Sequence, residues 1–76
     1  MNTRLGDGFT PINSGHMEAV KYDSMEKRLT VRFANGSEYH VYGFSPEHYD
    51  AFMSAPSQGA HYHSEIKNNF DVKRVK

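Results

Sequence analysis

Residues Arg28 to Phe44, RLTVRFANGSEYHVYGF, carry the strongest structural signal in the chain. Two runs in which apolar and polar residues alternate flank Ala34-Asn35-Gly36, and this arrangement is typical of a β-hairpin. An isolated hairpin is only marginally stable in water, so the rest of the chain has to cover its apolar face. The pattern therefore predicts a sheet with one face buried.

The pairing of the two strands depends on the length of the turn between them. A two-residue turn would place polar side chains among the apolar ones, because side chains alternate between the two faces of a strand. A three-residue turn instead sets Val31 opposite Tyr39 and Leu29 opposite Val41. We therefore predict a type I turn followed by a G1 bulge, with Gly36 at a positive φ.

The patterns on either side of the hairpin predict an α+β fold. Its three-stranded antiparallel meander (residues 16–22, 28–34 and 37–44) carries two short helices (residues 46–54 and 60–69) on one face. Ser45 and Pro46 favour the start of the first helix, because the hydroxyl can cap a free N–H and proline loses no bond there. Residues 1–11 are predicted to be a flexible N-terminal arm, and residues 12–76 a single domain. The tail after residue 70 is either a short edge strand or a frayed basic end.

Length, charge and composition narrow the function classes. The chain has 76 residues, no cysteine and a formal net charge of zero. This length allows one domain and no disulfide, so a homodimer or docking on a larger protein would be a way to add stability. The zero net charge argues against a dedicated, non-specific nucleic-acid binder, although it allows a local basic patch. With no membrane-spanning run and no signal peptide, we expect a cytoplasmic protein.

The five histidines and Ser57 are the residues from which a metal or catalytic site would have to be built. His61 and His63 are two apart, which suits a shared metal only on an extended segment, and no cysteine completes the set. No nucleophile motif surrounds Ser57, which we expect to cap the second helix. Gly59 is expected to allow a close backbone approach or a positive φ. We therefore expect no enzyme activity, no metal and no cofactor.

Three stretches in this order resemble the KTSC domain, a small module found at the C-terminus of some lysyl-tRNA synthetases and as free-standing bacterial and phage proteins. The first is a turn and strand, Ser14-Gly15-His16-Met17 followed by Val20-Lys21-Tyr22-Asp23. The second is the hairpin, through Leu29, Val31, Phe33, Gly36 and Tyr39. The third contains Ala55, Ser57, Gly59, Tyr62 and Ile66. The chain departs from the family pattern at three positions, where Gly15 replaces Ser and where His16 and His63 each replace Asn.

The resemblance implies a binding module rather than an enzyme, because attachment to a synthetase implies nucleic-acid or protein binding. The surface expected to do this consists of Lys21, Arg32, His40 and Tyr42 on the sheet and Lys73 and Arg74 in the tail. Arg and Tyr side chains together neutralise phosphates and stack on bases, so RNA, tRNA or single-stranded DNA is the first expected partner. A protein partner is the alternative, as for a small phage or bacterial accessory or inhibitor protein. An ordinary solvated sheet face is the third interpretation.

Overall fold

The computed structural model describes residues 8–12 and 14–76. In this part of the chain, five antiparallel strands form one sheet in the order β1-β2-β3-β4-β5. The strands are β1 (Thr10–Pro11), β2 (Met17–Asp23), β3 (Arg28–Phe33), β4 (Glu38–Tyr42) and β5 (Asp71–Arg74). Between β4 and β5 lie α1 (Pro46–Ser54), α2 (Gln58–His61) and a π-helical turn (Tyr62–Ile66) that continues α2.

The sheet has five strands, so the prediction of three was wrong in number. The two additional strands are its edges: β1 pairs only with β2, and β5 pairs with β4. The first seven residues of the predicted flexible arm lie outside the described residues. Residues 10–11 form β1 instead, and Phe9 before them is buried.

The central hairpin has the predicted register. Val31 lies opposite Tyr39 and Leu29 opposite Val41. The N–H of Phe33 donates to the carbonyl of Ser37 at 2.9 Å, which leaves residues 34–36 as a three-residue turn. Gly36 has a φ of +92°, the left-handed region that a glycine enters without steric cost. The prediction of the turn length and of the glycine conformation is therefore confirmed.

Both helices begin at side-chain caps. The hydroxyl of Ser45 accepts from the N–H of His48, and the imidazole of His48 accepts from the N–H of Ser45. This reciprocal pair satisfies two backbone donors that the first helical turn leaves free. Ser57 caps α2 as predicted, since its hydroxyl accepts from the N–H of Ala60 at 3.2 Å. The second helical segment starts at residue 58 and ends at 66, rather than covering 60–69.

One face of the sheet carries the helices and the hydrophobic core. Apolar side chains of β2, β3 and β4 meet Phe52 of α1 and Ile66 of the π-helical turn, both almost fully buried. The core cluster consists of Met17, Val20, Leu29, Val31, Val41, Phe44, Phe52, Tyr62 and Ile66. No helix within residues 8–12 and 14–76 has the length and apolar character needed to cross a bilayer.

Candidate functional site

The outer face of the sheet, which points away from the helices, carries the predicted binding residues in cross-strand rows. Direct pairing joins Lys21 to Thr30, Thr30 to His40 and His40 to Lys73. We call these four residues the basic row. A second row contains Asp23, Arg28, Tyr42 and Asp71, and a third contains Ala19, Arg32 and Glu38. Strands are about 4.8 Å apart, so the basic row extends over roughly 14 Å.

Five of the six predicted binding residues lie on this face, and Arg74 does not. Arg74 pairs with Tyr39, whose side chain points to the helix side of the sheet. The Nε of Arg74 donates to the carbonyl of Lys76 at 3.1 Å. Arg74 of the tail therefore lies apart from the other five residues, because neighbouring residues of a strand point to opposite faces.

Each of the two rows that flank the basic row contains an arginine that is paired with a carboxylate. The Nε of Arg32 lies 3.1 Å from the carboxylate of Glu38, and its Nη1 lies 4.0 Å from that of Glu18. Arg28 pairs with Asp23 at 3.8 Å. The partly exposed Arg28–Asp23 pair adds little stability, whereas the side chains of Arg32 and Glu38 are 20% and 14% exposed. In each pair the carboxylate offsets the charge of the arginine. The basic row itself contains no carboxylate, so the positive charge of the outer face is concentrated on Lys21 and Lys73 at its two ends.

Phe9 covers part of the outer face, and the sequence did not indicate this. Its ring is 3% exposed, and the guanidinium of Arg32 lies 3.9 Å from the ring centroid. The ammonium of Lys21 lies 5.0 Å from the same ring. The one sequence feature that could have indicated this contact is that Phe9 is the single aromatic residue among the first eleven. Arg32 is therefore held between an aromatic ring and two carboxylates rather than open to a base.

His40 is the titratable residue at the centre of the basic row. Its Nδ1 lies 3.1 Å from the hydroxyl of Tyr42, and the two rings meet edge to face. Burial lowers the pKa of His40, the positive charges of Arg28 and Lys21 lower it further, and only Glu38 raises it. The imidazole is therefore neutral near pH 7, and an added anion on this face would favour its protonated form.

The residues of the family signature hold the helical layer on the sheet. The hydroxyl of Tyr22 donates to the carbonyl of Phe44, and its ring stacks on Tyr49 with centroids 4.5 Å apart. Gly59 packs so closely that an added Cβ would lie 3.1 Å from the Oγ of Ser14. This confirms the predicted close backbone approach. No group of three His, Cys, Asp or Glu side chains able to hold a metal occurs among the described residues.

The architecture defines a small α+β domain, in which an antiparallel sheet carries one helical layer. The KTSC domain family model matches residues 13–70, and the chain belongs to this family. A protein of Tsukamurella paurometabola is 35% identical over 60 residues, which are 79% of this chain and 90% of that protein. The crystal structure of a KTSC domain protein from Yersinia pestis superimposes with a TM-score of 0.82 at 26% identity, covering 90% of this chain and 96% of that one. Family membership identifies a small module and assigns it no activity.

Proposed function

We propose that this chain is a non-catalytic binding module that binds single-stranded nucleic acid across the outer face of its sheet. The observation that carries the proposal is the basic row, in which Lys21, Thr30, His40 and Lys73 follow one another across four strands with no carboxylate between them. A row of this kind matches the regular negative charge of a phosphate backbone. Tyr42 lies beside the row and offers an aromatic ring to a base.

The charge on the outer face supports backbone recognition more than base recognition. Arg32 contacts Phe9 and two carboxylates. Tyr42, rather than Arg32, is therefore the residue that would stack on a base. With few aromatic groups and two lysines, binding would be electrostatic, sequence-tolerant and weakened by salt. The neutral His40 would gain a proton as the strand binds.

The proposal is tested by fluorescence anisotropy with a labelled oligothymidylate and a labelled single-stranded RNA over a series of salt concentrations. We expect the logarithm of the association constant to fall linearly with the logarithm of salt concentration. The double variant Lys21→Gln/Lys73→Gln should reduce that slope by roughly 1.4, because about 0.7 is lost for each phosphate contact on a single strand. Lys27→Gln removes one charge at the exposed β2–β3 turn and is the control. Absence of binding at low salt, or a double variant that matches the control, would overturn the proposal.

A protein partner is the second candidate, and the position of β5 favours it. β5 (Asp71–Arg74) is the last strand of the sheet and pairs on one side with β4. An extended peptide can add to such an edge through main-chain hydrogen bonds. Binding of this kind would tolerate moderate salt and respond to Arg74→Pro more than to Lys73→Gln, because alternation along β5 directs the N–H of Arg74 to the free edge. The same salt series with both variants therefore separates the two candidates.

A further inference from the structure

A pocket lies on the helix side of the sheet, on the side opposite to the basic row. It is a pocket of about 630 Å³ between the β3–β4 turn, the segment Gly15–Met17 and the residues from Gly59 to Asn68. This volume is within the range of small-molecule sites. Phe33, Tyr39 and Tyr62 form its aromatic wall, with the ring of Phe33 edge-on to both tyrosines at centroid distances of 5.4 and 5.8 Å.

The polar groups that line this pocket favour a negatively charged ligand. Lys67, His16 and His63 face it, together with amide side chains at Asn35 and Asn68. None of the described residues that line it is an Asp or a Glu. Lysine, imidazole and amide groups all donate hydrogen bonds, so the lining is complementary to an anion. Both histidines that replace the Asn of the family pattern lie in this lining.

The π-helical turn accounts for how the helical segment presents these groups. The N–H of Lys67 donates to the carbonyl of Tyr62 at 2.8 Å, which is the five-residue bond of a π-helix. This spacing brings Lys67 to the side of Tyr62, and Asn68 to the side of His63, so that all four line the pocket. Ile66, four residues after Tyr62, remains in the core. π-helical segments are rare in proteins, and those that occur are often found at functional sites.

We propose that this pocket binds a phosphorylated aromatic ligand of the class of a nucleoside monophosphate. The phosphate lies against Lys67 and His63, and the planar base lies against the wall of Phe33 and Tyr39. The site is independent of the basic row, because Lys21, His40 and Lys73 point to the other face of the sheet. A negative binding result for one site therefore leaves the proposal for the other site intact. Two kinds of molecule present a base and a phosphate in this way: a free nucleotide and the phosphorylated end of a nucleic-acid strand.

The probe is adenosine monophosphate, titrated into the ¹⁵N-labelled chain and followed by heteronuclear NMR. We expect amide shifts concentrated at Gly15–Met17 and at residues 62–68, with little change at Lys21 and Lys73. Adenosine and inorganic phosphate, titrated separately, should each bind at least fivefold more weakly than the nucleotide. Adenosine that binds as well as the nucleotide would overturn the proposal, and so would shifts that spread over the outer face.

Variants then locate the phosphate within the pocket. Lys67→Gln should weaken nucleotide binding at least fivefold and leave adenosine binding unchanged, whereas Lys27→Gln should change neither. A Lys67→Gln variant that binds the nucleotide as the wild type does would overturn the assignment. A dinucleotide with a 5′-phosphate, compared with its 5′-hydroxyl form, distinguishes these two kinds of molecule. Tighter binding of the phosphorylated dinucleotide than of the mononucleotide supports a strand end in the pocket, and the reverse order supports a free nucleotide.

Discussion

The guanidinium carbon of Arg32 lies 3.9 Å from the centroid of the Phe9 ring, and this contact ties the segment before β1 to the outer face of the sheet. Arg32 also pairs with Glu38 and Glu18, so its charge is held in place from both sides. The ring contributes buried apolar area and an electrostatic attraction to the guanidinium. Residues 9–11 are thereby part of the folded domain, although their sequence resembles a loose arm.

Replacement of Phe9 should separate these two contributions. Phe9→Leu keeps most of the apolar contact and removes the ring, so we expect a loss of about 1 kcal/mol in the free energy of unfolding. Phe9→Ala removes both, and we expect a loss of about 3 kcal/mol, close to the whole stability of a domain of this size. Urea denaturation followed by circular dichroism measures both values. A Phe9→Leu variant as stable as the wild type would show that the contact between the ring and Arg32 adds nothing.

Gly36, in the turn of the hairpin, should not tolerate a side chain. Its φ of +92° is strained for any L residue, so Gly36→Ala should cost about 1–2 kcal/mol. Gly15→Ala is the matched control, because its φ is not positive and no atom lies within 4 Å of the added Cβ. Thermal denaturation of the two variants should show a lower midpoint only for Gly36→Ala. A similar midpoint for both would contradict the role assigned to the turn.

The contact between Gly59 and Ser14 should appear as coupling in a double-mutant cycle. Gly59→Ala gains up to about 1 kcal/mol of helix propensity, but its Cβ would lie 3.1 Å from the Oγ of Ser14. In a Ser14→Ala background that oxygen is absent, so the gain should be larger. We expect Gly59→Ala to be more favourable in this background by at least 0.5 kcal/mol, a coupling typical of residues in contact. Additive effects in urea denaturation would rule out the close approach.

The central hairpin and α1 could be predicted because their signals are local. The parity of apolar side chains and the position of Gly36 leave one acceptable register. Ser45 and Pro46 fix the start of α1. Pro56, which follows the C-cap residue Ala55, fixes its end at Ser54. These elements need no information from distant parts of the chain, so the structure reproduces them within one or two residues.

Strand β1 and the π-helical turn could not be predicted, and for the tail an edge strand and a frayed end both stayed open, because the causes of these elements are not local. β1 contains two residues, one of them a proline, and β5 contains Val72 among charged residues. Their pairing is decided by the strands beside them rather than by their own periodicity. The spacing of Tyr62 and Ile66 correctly indicated buried positions, but it fits an α-helix and a π-helical turn equally well.

The candidate site also contains residues whose positions follow from local alternation and residues whose positions depend on distant contacts. Alternation within the hairpin placed Arg32, His40 and Tyr42 on the outer face, and the structure agrees. The face on which Arg74 lies could not be predicted, because it depends on the register of β5, which the sequence does not define. The contact of Arg32 with Phe9 joins residues 23 positions apart, and the periodicity of neither segment indicates it.

His40 should make the stability of the domain depend on pH. Burial and the charges of Arg28 and Lys21 place its pKa in the folded chain below the ordinary value of 6.5. Between the two values the unfolded chain binds more protons, so stability is present above about 6.5 and is lost as the pH falls toward the folded pKa. The stability of the wild type relative to His40→Gln should therefore decrease as the pH is lowered from 7.5 to 5, as measured by urea denaturation. NMR titration should show the pKa of His40 rising in Arg28→Gln, and an unchanged or lower value would contradict the stated cause.

Binding of a single strand should reverse this shift and link affinity to pH. Phosphates placed along the basic row would stabilise the imidazolium, so the pKa of His40 should rise in the complex and a proton should be taken up. The association constant for an oligothymidylate should therefore increase as the pH falls from 7.5 to 5.5, and this increase should be much smaller in His40→Gln. Fluorescence anisotropy at constant ionic strength measures the association constant at each pH. The control variant Lys27→Gln should retain the pH dependence of the wild type. An equal pH dependence in His40→Gln would place the bound strand away from the centre of the basic row, because no other histidine belongs to that row.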